Sequence, residues 1–156
     1  MDNPIKIFNA LKVNRPQLGK DAGVGLYRLF RLVAMEDVLG KAAPAISYFA
    51  GKKLGIELNL NSVEELLNLC EELKIGIIKV TEKDENTLLV EVFECVTCDG
   101  MDPVGRALCS FEGGLIAGCL EGITGKKATA KEVTCIGGFG DESCGFNVTF
   151  LNKKIN

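Results

Sequence analysis

Residues 107–150 read ALCSFEGGLIAGCLEGITGKKATAKEVTCIGGFGDESCGFNVTF, and the change of period along this stretch decides the fold. From 107 to about 123 the pattern is helical: Cys109 lies seven residues before Ile116 on one face, and Gly125 supplies a stop. Residues 127–136 and 144–151 then read as a strand pair joined by the glycine turn at 137–142. A helix that carries a cysteine is thus followed by a hairpin that carries two more, Cys135 and Cys144.

Upstream, a first hairpin is legible in the β-branched and apolar runs 77–81 and 87–93, separated by the polar residues 82–86. Before it the period is helical. A helix over 21–39 is expected to bury Leu26, Leu29, Phe30, Val33 and Val38 and to leave Arg28, Arg31, Glu36 and Asp37 on its wetter face. A second helix follows the Gly40 and Pro44 interruption and ends near Gly55. A third starts at Ser62, with Glu65 placed for a capping box, and Gly76 can end it. Residues 1–18 mix apolar and polar runs around Arg15-Pro16 and are expected to form an arm. The sum is an α+β domain over 1–156, in which N-terminal helices pack on an antiparallel sheet of about four strands. The cysteine-bearing helix lies between the two hairpins.

Composition narrows the function classes. The chain is 47% apolar and 25% charged with a net charge of −3 and no basic block, which argues against direct contact with nucleic acid. No apolar run approaches the ~20 residues that span a bilayer, and the start lacks a basic segment followed by a hydrophobic core, so a cytoplasmic location is expected. Its seven cysteines are an odd number, which suits core packing or metal ligation in a reducing compartment better than a disulfide frame. Histidine is absent from the sequence, so chemistry that depends on it within one chain is excluded.

Three thiols and a carboxylate, Cys109, Glu132, Cys135 and Cys144, form a candidate metal set drawn from separate elements. Such donors suit zinc, which takes thiolate sulfur in tetrahedral geometry. On a regular strand Glu132 and Cys135 would face opposite ways, but the apolar parity slips between Ala130 and Val133. One β-bulge between Ala130 and Cys135 resolves the conflict. Two other readings stand beside this one. The thiols can simply be buried core residues. Alternatively Cys95 and Cys98, spaced as Cys-x-x-Cys, are a ligand pair or a redox dithiol, and with Cys135 and Cys144 they would complete a four-sulfur site. Cys70 and Cys119 read as packing residues. Gly114, Gly118 and Gly122 line one helix face, which permits close backbone approach or leaves room for a ligand.

The run Leu108-Cys109-Ser110-Phe111-Glu112-Gly113-Gly114-Leu115-Ile116-Ala117-Gly118, with Lys131-Glu132-Val133-Thr134-Cys135 and Gly140-Asp141-Glu142-Ser143-Cys144-Gly145-Phe146, resembles the 4-vinyl reductase domain family. Leu18-Gly19, Tyr27-Arg28-Leu29 and Ala50-Gly51-Lys52-Lys53-Leu54-Gly55 extend the likeness into the helical half, as in a stand-alone archaeal-type member. The resemblance implies a fold shared with sensor domains of aromatic-responsive activators, with a tetrapyrrole-biosynthesis protein and with vesicle-tethering subunits. It implies structural zinc held by Cys109, Glu132, Cys135 and Cys144. It also implies dimerisation and an apolar pocket beside the zinc, for which Phe111, Gly114, Leu115 and Gly118 are the candidate lining. The expected function is a non-enzymatic domain that binds a hydrophobic or aromatic small molecule and signals through a separate partner. The alternatives are a reductase acting on a vinyl-bearing tetrapyrrole and a non-catalytic tethering subunit.

Overall fold

The computed structural model of the protein describes residues 5–151. Of the expected N-terminal arm, residues 1–4 lie outside that range, and the rest contains the short helix α1 (Ile7–Ala10). Helix α2 (Val24–Arg28) runs through a π-helical stretch, Leu29–Met35, into α3 (Glu36–Leu39), and a 3-10 turn leads to α4 (Ala43–Glu57). Pro44 sits in the first turn of α4, where its missing N–H costs no helical hydrogen bond. Helix α5 (Val63–Glu72) is capped by Ser62, whose Oγ accepts from Glu65 N at 3.2 Å, while Glu65 reaches back to Asn61 N at 2.8 Å.

Strands β1 (Ile77–Asp84) and β2 (Thr87–Phe93) form the first hairpin. Helix α6 (Ser110–Thr124) then precedes β3 (Lys127–Thr134), the one-turn helix α7 (Ile136–Phe139) and β4 (Cys144–Leu151). Gly125 takes a φ of 69° to stop α6, as a left-handed C-terminal cap requires. The antiparallel sheet has the order β1-β2-β4-β3, so the fold is α+β as the sequence pattern predicts. The expected glycine turn at 137–142 holds the additional one-turn helix.

Every residue of α6 from Glu112 to Glu121 is buried, which marks it as the central helix. One side lies on the sheet, where Phe146 meets Gly113, and the core gathers Leu66, Val90, Val92, Leu115, Ile116, Leu120 and Val148. The other side is covered by α4, and glycines on both helices bring the two backbones into contact. A Cβ at Gly51 would overlap the Phe111 carbonyl oxygen, one at Gly55 the Leu115 carbonyl oxygen, one at Gly114 that of Tyr48 and one at Gly118 that of Lys52. Only hydrogen fits at all four positions.

Ion pairing to a buried carboxylate closes the far end of this sandwich. Glu121 on α6 receives Lys52 from α4 at 3.1 Å, the Ala128 backbone N–H from β3 at 3.1 Å and the ammonium of Lys127. Burial alone would push the Glu121 carboxyl up, but these three donors outweigh it and hold it down at about 2.

The N-terminal helix departs from expectation in its polarity. Leu26, Leu29, Phe30, Val33 and Val38 are 60–80% exposed, whereas the Arg31 side chain is only 11% exposed. Arg28 likewise turns to the body, donating to the carbonyls of Val96 and Asp99 at 2.8 Å each. The amphipathic pattern is real but inverted: the arginines satisfy backbone carbonyls and a buried carboxylate, and the apolar stripe is left facing outward.

The contact between α4 and α6 generates a contrast. Gly51→Ala and Gly118→Ala are each expected to cost about 2–3 kcal/mol by overpacking. Gly122→Ala, where the nearest atom to a built Cβ is 4.0 Å away, should instead stabilise by up to ~1 kcal/mol through helix propensity. Urea unfolding of the three variants tests this, and equal effects would refute the packing account.

Candidate metal centre and adjoining cavity

Three pieces of chain deliver thiols to one point. A turn after β2, in which Cys98 N and Asp99 N both bond to Cys95 O, presents Cys95 and Cys98. Cys109 is the N-terminal cap of α6, and Cys135 and Cys144 flank α7. All are free and buried. Cys98 Sγ lies 3.3 Å from Cys144, 3.5 Å from Cys109 and 4.0 Å from Cys135, and Cys109 Sγ lies 3.5 Å from Cys144, 3.6 Å from Cys95 and 4.0 Å from Cys135.

The bulge expected on β3 is present. Glu132 opposes Phe146 and Thr134 opposes Gly145, so β3 spends two residues against one of β4. Beyond it, Glu132 accepts from Cys109 N–H at 3.0 and 3.2 Å, and Cys135 N–H is fixed by Asp141 at 2.7 Å. The glycines of α7 allow this approach, since a Cβ at Gly138 would meet Cys135 Sγ at 2.9 Å and one at Gly137 would meet Cys98 Cβ at 2.7 Å.

Two overlapping groups can each hold a metal ion: Cys95, Cys98, Cys109 and Cys144, and Cys109, Glu132, Cys135 and Cys144. The sequence presents the Cys95–Cys98 pair and the Glu132–Cys135 pair as rivals, whereas the fold gathers both around Cys109 and Cys144. Hydrogen bonding among the thiols divides them, favouring ionised sulfur at Cys98 and Cys135 and the neutral thiol at Cys109 and Cys144. Hydrogen bonding to Cys109, then to Cys135 and Cys144, holds the Cys98 thiol down at about 4, and hydrogen bonding to Cys109 and then Cys144 holds Cys135 at about 6. Cys109 is pushed up because it serves as the shared donor, and burial with Cys135 nearby pushes Glu132 up to about 9. By contrast, burial raises Cys70 to about 12 and Cys119 to about 11, which leaves them inert in the core.

One turn further along α6 stands a polar network that the sequence reading missed. Glu112, with its side chain 2% exposed, pairs with Arg31 at 3.1 Å and accepts from Thr97 Oγ1 at 2.5 Å and Tyr27 Oη at 3.2 Å. Burial, reinforced by the Glu112 charge, pushes the Tyr27 phenol up to about 12, so it stays a donor. Arg31 also donates to Thr97 Oγ1 and, at 3.2 Å, to Leu108 O, and its guanidinium lies 5.6 Å from the Phe111 ring centroid. The available signal is an acid, Glu112, in the first turns of an otherwise apolar helix whose other acid is Glu121, matched by arginines inside an apolar stripe.

Two cavities flank this network. The smaller, about 280 Å³, lies among Tyr27, Phe30, Arg31, Met35, Ile46 and Phe111. The larger, about 720 Å³, runs between α1, α2, α4 and α5, with Leu11, Leu54, Leu58, Leu69, Phe111 and Leu115 in its wall. Of the expected lining, Phe111 borders both cavities and Leu115 the larger, whereas Gly114 and Gly118 border neither and face α4 instead. Among the described residues no helix is long and apolar enough to cross a membrane.

Fold and site together define a small α+β domain with an apolar cavity beside a buried cluster of potential metal ligands. The chain belongs to the family described as protein of unknown function DUF2507, which matches residues 25–136. It is 32% identical to an uncharacterized protein of Methanocaldococcus jannaschii over 88% of this chain and 84% of that one. A second uncharacterized protein of that organism is 37% identical over 73% of this chain and 69% of its own. The fold is that of a vinyl-4-reductase family protein from the same organism, with a TM-score of 0.68 and 22% identity over 87% of this chain and 86% of the other. It is shared with the phenol-responsive sensory domain of the transcription activator PoxR, solved with phenol (TM-score 0.62, 15% identity, 83% and 75% covered). It is also shared with a trafficking protein particle complex subunit 3 from Naegleria fowleri covalently bound to palmitic acid (TM-score 0.59, 16% identity, 83% and 95% covered).

The buried pair yields a double-mutant test. Arg31→Met leaves Glu112 without its counter-charge and is expected to cost about 3–5 kcal/mol. Arg31→Met combined with Glu112→Gln should cost clearly less than Arg31→Met alone in urea unfolding. An equal or larger loss would show that the pair's charge is not what the core depends on.

Proposed function

We propose that this protein is a zinc-stabilised domain that binds a hydrophobic or aromatic small molecule and belongs to the 4-vinyl reductase group. It works in the reducing cytoplasm without touching nucleic acid directly, as a homodimer whose occupancy is read by a separate partner. One observation carries the reading. Helix α6 begins at Cys109 inside the thiol cluster and within two turns borders the larger cavity with Phe111, Glu112 and Leu115. Metal site and ligand wall are therefore built on the same rigid element. The PoxR sensory domain, which binds phenol on this fold, supports the choice of a sensory role.

The donors fit zinc. Bonds of about 2.3 Å in a tetrahedron set neighbouring sulfurs about 3.8 Å apart, and the cluster spans 3.3–4.0 Å among its bonded thiols. In the first reading Cys109, Glu132, Cys135 and Cys144 hold the ion, because the bulge turns both Glu132 and Cys135 toward the cluster. A second reading, with Cys95 and Cys98 completing the set, is favoured by the short separations of Cys98 from Cys109 and Cys144. In either case four protein ligands leave no open position for an activated water, so the ion is structural. It would tie the start of α6 to the start of β4 and replace the protons that the thiols otherwise share.

Mass spectrometry of untagged, reduced protein is expected to find about one zinc per chain. The metal should be lost, together with thermal stability, when Cys109 and Cys144 are both changed to serine. Cys135→Ser then weakens binding more than Cys98→Ser in the first reading, and the reverse holds in the second. A metal-free parent would overturn both.

Dimerisation is supported by the outward stripe of Leu26, Leu29, Phe30, Val33 and Val38, with Phe49 69% exposed on α4. Sedimentation should give twice the chain mass, and Phe30→Glu with Val33→Glu should reduce it to one. A monomeric parent would remove the dimer from the proposal.

A further inference from the structure

The larger cavity is lined mainly by aliphatic and aromatic side chains, yet Glu112 also borders it. The residue is 1% exposed, and its two carboxylate oxygens stand in very different surroundings. Oε1 accepts from Tyr27, Thr97 and Arg31. Oε2, equally enclosed, has no hydrogen-bond partner among the described residues. Buried polar atoms are nearly always paired, and Oε2, which no water-sized group in the cavity touches in this structure, gains a partner when a small shift of the Glu112 side chain brings it to the cavity that the residue borders.

Charge selects the kind of donor. Arg31 already balances Glu112, so a bound ammonium would bring a second cation beside the guanidinium with no further carboxylate in the network. A bound carboxylate would face Glu112 itself. A neutral hydroxyl donates one hydrogen bond and adds no charge. The rest of the ligand must match Leu54, Leu58, Leu69, Phe111 and Leu115, which offer nothing to a polar body. Ionic side chains gather elsewhere on the cavity's edge, where exposed Lys74 pairs with Asp21 at 3.0 Å.

We propose that the larger cavity takes an apolar molecule bearing one neutral hydroxyl group, which donates to Glu112 Oε2. The inference rests on reading the cavity as a ligand site, and it makes Glu112 the residue that selects among apolar ligands. Thr97, Tyr27 and Arg31 are positioning residues that hold the other oxygen and so fix the direction of the free one.

The test is calorimetric titration of the full chain with three probes: 1-octanol, its isomer 1-methoxyheptane, which cannot donate, and octanoate. The alcohol is expected to bind at least about tenfold tighter than the ether, the scale of one hydrogen bond to a charged acceptor, and octanoate more weakly than either. In Glu112→Gln the ratio of alcohol to ether affinity should fall toward one. Should that variant fail to fold, the three probes on the native chain decide the matter alone. Equal binding of alcohol and ether would overturn the hydroxyl preference and leave the cavity reading intact. Binding of neither would overturn the cavity reading itself. Alcohol binding that survives Leu115→Trp, which fills the cavity, would place the site elsewhere and refute the proposal.

Discussion

Contact between the backbones of α4 and α6 is the constraint on which the rest of the structure depends. Gly51 and Gly55 on one helix and Gly114 and Gly118 on the other leave space only for hydrogen, so each helix lies against the other's carbonyl oxygens. Such contact fixes both the distance and the rotation of α6. Once α6 is set, Cys109 must sit at the head of the sheet, Glu112 must enter the interior, and Leu115, Ile116 and Leu120 must fill the core. The Glu121 clamp fixes the opposite end of the helix against Lys52 and β3.

Burying Glu112 and the thiols is expensive, and the fold meets each cost differently. Glu112 has a full counter-charge and two hydroxyl donors on one oxygen. The thiols have one another, in a cluster compact enough that protons are shared along short sulfur contacts. The two arrangements are adjacent along α6 but differ in kind, one closed by protein groups and the other built from donors that suit a soft ion.

Much of this was legible in the sequence where local rules govern. The Ser62 cap, the two hairpins, the Gly125 stop and the bulge all follow from residue type and parity, because each is decided within a few residues. Parity even located the bulge, since Ala130 and Val133 cannot share a face of a regular strand. What escaped was decided by distant partners. Nothing near Arg31 in the chain announces that Glu112 and the carbonyl of Leu108 will meet it, so its helix was oriented apolar side inward, as an isolated amphipathic helix would be. The cysteine pairs looked like competitors because spacing counts residues and does not see that the turn after β2 folds back over α7. Likewise Gly114 and Gly118 admit either a close backbone or a ligand by sequence, and it is the backbone of a second helix that lies against them.

Thr97 stands between Cys95 and Cys98 in the chain, and its hydroxyl is spent on Glu112. The loop that presents two of the thiols is therefore tied to the wall of the larger cavity by this short hydrogen bond, beside the bond from Val96 N–H to Ile75 O. A displacement of that carboxylate would stretch this bond, as would a displacement of the cysteine turn. For the ligand and metal proposed above, linkage allows no one-way traffic: any factor by which filling the cavity alters affinity at the thiols is the factor by which filling the thiols alters affinity in the cavity.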